Sequence, residues 1–170
     1  MHPLITLAKD SIMEELGTVV QADIESVKRV YGQEGGVFVT LKKGGELRGC
    51  IGRIISDIPV YECVYKMAKA AAFQDFRFSP LTKDEVEDVS ISISLLTVPR
   101  TISSYQEIRL GKHGVILRYG TASSVFLPEV AVEQGWDLET MLRHLAQKAG
   151  LSGEIFRKAE YDVFESEKIE

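Results

Sequence analysis

The chain has 170 residues, of which 20 are Lys or Arg and 25 are Asp or Glu, so its formal net charge at pH 7 is −5. This length, with 45% hydrophobic and 26% charged residues, is typical of a globular protein and excludes an extensively disordered chain. The acidic balance argues against a broad nucleic-acid or anionic-membrane surface, although it leaves a local basic patch open.

The lengths of the apolar runs and the spacing of the cysteines indicate the cellular location. The apolar runs are only a few residues long, whereas a membrane-spanning helix needs roughly 20. The first residues lack a charged region followed by an apolar stretch, so they indicate no secretory signal. Cys50 and Cys63 form no Cys-x-x-Cys pair and fit reduced thiols better than a disulfide. We expect a cytoplasmic protein without a membrane span.

The amino-terminal region predicts one helix. Residues 3–16 place apolar side chains three or four positions apart, which predicts a helix that Gly17 ends. The stretch from Thr18 to Gln33 has no clear period, and its structure is left open.

A hairpin and a second helix follow. Alternating residues over 37–41 and the segment 46–54, separated by turn residues 42–45, predict a β-hairpin. Pro59 then begins an apolar helical pattern that ends near Phe73.

The middle of the chain predicts a short helical turn and a strand. Thr82 and Glu85 have the spacing of a capping box, in which each residue binds the other's backbone at the start of a helix. Residues 89–95 alternate apolar side chains with serines, which predicts a strand with one buried and one polar face.

The carboxyl-terminal half predicts a second hairpin and a third helix. The hairpin strands cover 114–119 and 123–127, and the helix runs from Asp137 as its amino-terminal cap to Gly150. Helices mixed with hairpins, rather than strict βαβ alternation, predict an α+β fold with a mainly antiparallel sheet and flanking helices. Because we find no internal repeat or long linker, we predict a single domain over residues 1–170.

Most familiar enzyme signatures are absent from the sequence. It contains no dinucleotide-binding, phosphate-loop, nucleophile-elbow or H-E-x-x-H motif. The three histidines are scattered and do not combine with a cysteine at zinc-ligand spacing. We therefore predict no metal and no cofactor, while a metal site assembled from distant residues is left open.

The segment around Cys50 is the most unusual. Gly49 and Gly52 interrupt an apparent strand, which indicates a bulge or the close approach of another backbone or ligand. Arg48 and Arg53 flank Cys50, and positive charge favours the thiolate, the nucleophilic form of cysteine. In a regular strand, Arg48, Cys50 and Gly52 would share one face. The alternative interpretation is a small buried cysteine whose arginines pair with acids elsewhere, and it is favoured.

Three further residues could carry chemistry. Asp75 and Arg77 follow the predicted second helix and could form an ion pair, cap the helix or bind a polar ligand, the ion pair being favoured. His113, in a Gly-Lys-His-Gly turn, is a candidate general base or an ordinary surface residue. Cys63 lies on the predicted helix and is interpreted as packing.

Taken together, these segments resemble those of the AMMECR-type domain family. They occur in the same order as in that family and span nearly the whole chain. The matching segments are 47–52, 71–81, 111–114, 126–131, 136–137 and 148–151. Two positions depart from the family pattern, Phe76 where many relatives have proline and Ala146 where relatives often have cysteine. The second departure argues against a mechanism that requires two thiols.

The resemblance implies an α+β fold with two unequal subdomains and places the Arg-Gly-Cys-Ile-Gly segment near a groove between them. It implies no settled activity. Prokaryotic relatives are often associated with a Memo-like protein and a radical S-adenosylmethionine protein, so a shared modification pathway and these companion proteins are expected. Candidate ligand-binding residues are Arg48, Gly49, Gly52, Asp75, Arg77 and Glu129.

Three functions remain open at this point. The favoured one is an accessory component that binds a ligand or partner, because no nucleophile-base pattern accompanies the Cys50 segment. The alternative is an enzyme in which Cys50 is the nucleophile or proton donor, His113 the base, and Arg48 or Arg77 holds an anionic substrate. Nucleic-acid binding is opposed by the net charge. The sequence leaves a homodimer open.

Overall fold

The computed structural model describes residues 1–19 and 23–170. The chain forms two compact units, a larger one of Met1–Leu96 with Glu167–Glu170 and a smaller one of Thr97–Ser166. The expectation of two unequal parts is therefore confirmed. The assignment of residues 1–170 to a single domain stays a prediction.

Helices and strands are mixed along the chain. The α-helices are α1 (Pro3–Glu15), α2 (Ile24–Val30), α3 (Val60–Phe73), α4 (Glu129–Gln134) and α5 (Leu138–Lys148). The strands are β1 (Gly36–Lys43), β2 (Glu46–Arg53), β3 (Val89–Leu96), β4 (Arg100–Ile102), β5 (Gly114–Tyr119), β6 (Ala122–Phe126), β7 (Glu160–Phe164) and β8 (Ser166–Ile169). Within the described ranges, none of the helices has the length and apolar character needed to cross a membrane.

In the larger unit, α1 and α3 pack against a four-stranded sheet. The strand order is β2-β1-β3-β8, and β1 runs antiparallel to both β2 and β3. Val37, Val39 and Leu41 alternate along β1 and are fully buried with Leu4 of α1 and Val64 of α3. The odd-numbered residues of β1 therefore face the core, and the even-numbered residues point to the opposite side of the sheet.

The smaller unit has its own sheet and core. Its strand order is β4-β7-β5-β6, and the neighbouring strands are antiparallel. Val115 and Leu117 of β5 are fully buried in a cluster with Leu142 and Leu145 of α5 and Val163 of β7. Both sheets confirm the predicted α+β class with antiparallel pairing.

The predicted helix ends agree with the structure to within about one residue. Gly17 and Gly150 follow α1 and α5 with φ of 80° and 79°, the left-handed conformation that favours glycine. After α5, the Leu151 N–H donates to the Ala146 carbonyl and the Gly150 N–H to Gln147, which is a Schellman ending.

Hairpin boundaries required corrections. Strand β1 of the first hairpin extends through Lys43, two residues beyond the predicted end, because the turn consists of Gly44 and Gly45 alone, with φ of 58° and 83°. In the second hairpin, Tyr119 pairs with Ala122, so β6 begins one residue earlier than predicted.

Several elements were not predicted from the sequence. They are α2, α4, β4, β7 and β8. Helix α2 lies in the stretch 18–33 that the sequence left open, and residues 20–22 of that stretch lie outside the described residues.

Candidate functional site around Cys50

A β-bulge at Arg48 determines which side chains share a face with Cys50. In the β1–β2 pairing, Leu41 is opposite Gly49 but Lys42 is opposite Leu47, so Arg48 is the extra residue. The alternation that a regular strand would give is therefore interrupted at Arg48. The shared face of Arg48, Cys50 and Gly52 was expected for a regular strand only, and the bulge means that this condition does not hold at Arg48.

The two glycines of β2 permit close packing on opposite faces of the sheet. A Cβ atom on Gly49 would lie 2.1 Å from the Ala71 carbonyl oxygen of α3. A Cβ atom on Gly52 would lie 2.4 Å from the Phe38 ring. The predicted bulge and close backbone approach are both present, and packing accounts for both glycines. Their role in ligand binding stays a prediction.

The thiol of Cys50 is half-buried beside a hydroxyl group. Cys50 is opposite Thr40 of β1, and the Thr40 Oγ1 lies 3.3 Å from the Cys50 Sγ. Both residues lie on the face away from the helices, since Thr40 is an even-numbered residue of β1. The interpretation of Cys50 as a small buried residue is therefore wrong in its burial, whereas its expectation that the flanking arginines pair with acids elsewhere is confirmed for Arg48.

The loop after α3 binds the backbone of Cys50. The Cys50 N–H donates to Asp75 Oδ2 at 3.0 Å, and Arg77 Nη2 donates to the Cys50 carbonyl at 3.4 Å. Strand β2 is at the edge of its sheet, so its outward N–H and C=O groups lack a strand partner. Asp75 and Arg77 supply that partner at Cys50.

Asp75 and Arg77 form the predicted ion pair. Arg77 donates two hydrogen bonds to the Asp75 carboxylate, from Nε at 2.9 Å and from Nη2 at 2.7 Å. Asp75 is 4% exposed. The Arg77 guanidinium, together with the Cys50 N–H, holds the pKa of Asp75 well below its usual range. The carboxylate is therefore charged and fully engaged at neutral pH.

Arg48 is likewise engaged by a carboxylate. Its Nε and Nη2 donate to Glu85 at 3.3 and 3.1 Å. Glu85 also accepts from Lys43 Nζ at 3.1 Å and from the Thr82 N–H at 3.0 Å. The hydrogen bonds from Arg48, Thr82 and Lys43 lower the pKa of Glu85 to about 2. The predicted capping contact between Thr82 and Glu85 is thus present, and the same carboxylate neutralises Arg48.

His113 and Glu129 belong to the smaller unit. His113 is 8% exposed, and its Nδ1 accepts the Arg109 N–H at 3.0 Å. Burial, followed by the Arg100 charge, lowers the pKa of His113. The neutral ring then carries its proton on Nε2. Glu129 is an exposed residue in the first turn of α4. The predicted pairing of Cys50 with His113 stays a prediction.

Two residues of the site were missed from the sequence. Thr40 was assigned only to a strand, although the hairpin register places it opposite Cys50. Glu85 was assigned only to a capping box, and nothing in its spacing indicates Arg48. Cys63 is fully buried, as its packing interpretation requires, and desolvation raises its pKa. Among the residues that the structure describes, no three His, Cys, Asp or Glu side chains are grouped to hold a metal ion.

Comparison with known proteins places this architecture in a family. The AMMECR1 family model matches residues 5–169. The chain belongs to the AMMECR1 family. An AMMECR1-type relative from Methanothermobacter thermautotrophicus is 36% identical over 168 residues, which cover 95% of this chain and 88% of the relative. Another from Nanoarchaeum equitans is 34% identical, over 86% of each chain.

A solved structure has the same fold. The crystal structure of an uncharacterised protein from Pyrococcus horikoshii matches with a TM-score of 0.84 and 31% identity, covering 97% of this chain and 88% of that one. The α+β architecture is therefore shared with an AMMECR1-type protein of known structure.

Proposed function

We propose that this AMMECR1-family chain is a non-catalytic binding component of a cytoplasmic modification system. Its partners would be a Memo-like protein and a radical S-adenosylmethionine protein. The observation that carries the proposal is that both arginines considered as holders of an anionic substrate, Arg48 and Arg77, are each paired through two nitrogens with a carboxylate.

This pairing disfavours an anionic substrate held by those arginines. A substrate that used the paired nitrogens would have to displace Glu85 from Arg48, or Asp75 from Arg77. Displacement would leave Glu85, or the Asp75 side chain that is 2% exposed, without its charged partner, which costs free energy. The two arginines therefore stabilise the protein's own structure. Arg77 and Asp75 also bind the backbone of Cys50.

The surroundings of the thiol also lack a proton acceptor suited to catalysis. Within residues 1–19 and 23–170, the hydrogen-bond partner of Cys50 Sγ is the Thr40 hydroxyl. A hydroxyl group is a poor general base at neutral pH. His113 would need its Nε2 unprotonated to accept a proton there, which conflicts with the hydrogen bond that its Nδ1 accepts.

The binding surface proposed is the face of the larger sheet that carries Cys50. Leu47 is opposite Lys42 and Cys50 is opposite Thr40, so both side chains lie on the face away from α1 and α3. Leu47 is 42% exposed, which makes it an apolar contact available on that face. The choice of partners follows from what the family resemblance implies.

The test mixes the purified chain with each companion protein and measures complex formation by size-exclusion chromatography with light scattering. We expect a complex with wild type and with Cys50→Ser, and a weakened complex with Leu47→Glu. The matched control is Val30→Glu, which places the same charge on an apolar residue of α2 that is 63% exposed. Absence of any complex, or equal weakening by both glutamate variants, would contradict the proposal.

An enzyme that uses Cys50 is the second candidate, because the thiol is half-exposed and Arg77 Nη2 lies 3.4 Å from the Cys50 carbonyl. The two functions differ in what Cys50→Ser does to the assembled system. A complex that forms normally but loses turnover in Cys50→Ser supports the enzyme. Retained turnover supports the accessory component. Iodoacetamide alkylation of the native chain, mapped by mass spectrometry, independently reports whether Cys50 reacts while buried Cys63 does not.

A further inference from the structure

A second candidate site lies within the smaller unit, independent of the Cys50 surface. It is a cleft of about 430 Å³ to which Arg100, Arg109, Lys112 and His113 contribute. This volume is in the range of small-molecule sites. Gln106, Glu107 and Glu165 complete its lining.

Two of the cations in the cleft form no direct ion pair. Arg100 and Arg109 are exposed, and neither forms an ion pair with any carboxylate of the described residues. Lys112 Nζ lies 3.3 Å from Glu165 Oε1, in a solvent-exposed pair that contributes little to stability. Three positive side chains thus converge on one cleft of a protein whose net charge is −5.

The two carboxylates of the cleft are already engaged. Glu107 accepts hydrogen bonds from the N–H groups of Ser103 and Ser104, each at 3.0 Å, and from the Ser103 hydroxyl. Glu165 is the partner of Lys112. Neither carboxylate neutralises Arg100 or Arg109 by direct contact.

His113 adds a donor that no described residue satisfies. Its side chain is more than nine-tenths buried, and the Arg109 N–H fixes Nδ1 as an acceptor. The proton therefore lies on Nε2, and no described residue accepts a hydrogen bond from it. Because His113 lines the cleft, an Nε2–H without a protein partner is a donor that a ligand oxygen can accept from.

We propose that this cleft binds the phosphate group of a small phosphate ester. A phosphate monoester carries about two negative charges and three acceptor oxygens. The guanidinium groups of Arg100 and Arg109 match such an anion in geometry and charge, and the Nε2–H of His113 supplies a further donor. A carboxylate has one negative charge and two acceptor oxygens, so it matches the two unpaired guanidinium groups and the Nε2–H of His113 less completely than a phosphate group does.

The test follows the histidine ring signals by NMR at pH 7.5 while inorganic phosphate or glycerol 3-phosphate is added. His2 and His144 lie outside the cleft and act as internal controls. We expect saturable shifts of the His113 signals, with the other two histidines unchanged. Tighter binding of glycerol 3-phosphate identifies an ester, whereas tighter binding of inorganic phosphate identifies the free anion and overturns the ester assignment. Acetate at equal ionic strength tests whether one negative charge suffices.

Charge-removing variants locate the binding. Arg100→Gln and Arg109→Gln are each expected to weaken binding about tenfold, because each removes charged hydrogen bonds to the anion. Arg29→Gln, at an exposed arginine of α2 in the larger unit, is the matched control and should bind as wild type does. Circular dichroism melting verifies that the variants are folded. The proposal is overturned if His113 shows no saturable shift, if acetate binds equally well, or if all three variants behave alike.

Discussion

One inserted residue, Arg48, sets the surroundings of the thiol. Because the bulge lies at Arg48, Gly49 faces Ala71 of α3 while Cys50 faces away from the helices beside Thr40. Without the bulge, the pairing register on one side of Arg48 would shift by one residue. The side chains on that side would then point to the opposite face of the sheet. The bulge therefore decides that the thiol is half-exposed rather than part of the core.

Gly49→Ala is expected to destabilise the protein by about 1–3 kcal/mol, the range for overpacking a tight contact. The added methyl group would lie 2.1 Å from a backbone oxygen of α3, so strand and helix must separate. The measurement is urea denaturation. Gly153→Ala is the control, because a Cβ there meets nothing closer than 3.4 Å. Equal stability of both variants would show that β2 and α3 are not closely packed.

Glu85 is expected to make stability depend on pH in the acid range. Its pKa is about 2 in the folded protein, below its usual 4.5, because Arg48, Thr82 and Lys43 donate to the charged carboxylate. The stabilisation is therefore complete above about pH 4.5 and is lost as the pH falls towards 2.

In Glu85→Gln, the stability difference from wild type should be larger at pH 6 than at pH 2.5. Urea denaturation at the two pH values measures it. Glu87→Gln is the control, because Glu87 forms an exposed pair with Lys9. A difference that does not change with pH would contradict the assignment of Glu85 as the titrating partner of Arg48.

At the scale of elements, α5 illustrates a segment whose sequence signals agree with one another. Asp137 caps its first turn, accepting the Thr140 N–H at 2.8 Å, and Gly150 follows its last turn in the left-handed conformation. Leu142 and Leu145, three residues apart, are fully buried on one side. Local capping and apolar spacing give the same boundaries, so this helix was predictable.

Asp137→Ala is expected to lower the free energy of unfolding by about 1 kcal/mol, because the amino terminus of α5 loses its side-chain cap. Asp57→Ala is the matched control, since Asp57 is exposed and caps no helix. Thermal melting followed by circular dichroism compares the two variants. An equal loss of stability in both would show that the effect is not one of capping.

Strand β7 illustrates the opposite case. It has five residues, of which Tyr161, Val163 and Phe164 are buried, so adjacent positions 163 and 164 break a period of two. Its polar residue Asp162 pairs with Arg118 at 2.8 Å, a contact that joins positions distant in sequence. Pairing with both β4 and β5 stabilises this strand, and the local pattern does not indicate it.

At the scale of the molecule, each unit has its own hydrophobic core. Ile93 is fully buried in the larger unit and Leu142 in the smaller one. Trp136, the one tryptophan of the chain, lies in the smaller unit, so its fluorescence reports on that unit while far-ultraviolet circular dichroism reports on both.

Ile93→Ala and Leu142→Ala are each expected to lower the free energy of unfolding by about 2–5 kcal/mol, because each leaves a cavity in a packed core. Val132→Ala, at a residue that is 64% exposed, is the control and should change stability by less than about 0.5 kcal/mol. Denaturation is followed by both spectroscopic signals. An effect no larger than that of Val132→Ala would contradict the assigned core position.

The sequence by itself determined the α+β class, the first hairpin, the helix ends and the family, because these depend on local periodicity, turn residues and short motifs. It also located the glycine-bracketed Cys50 and the ion pair between Asp75 and Arg77. Only the tertiary structure decided that Arg48 binds Glu85, that Thr40 contacts the thiol, and that His113 is buried beside unpaired arginines. Those relations join residues distant along the chain, and their geometry depends on strand register and packing, which no local pattern contains.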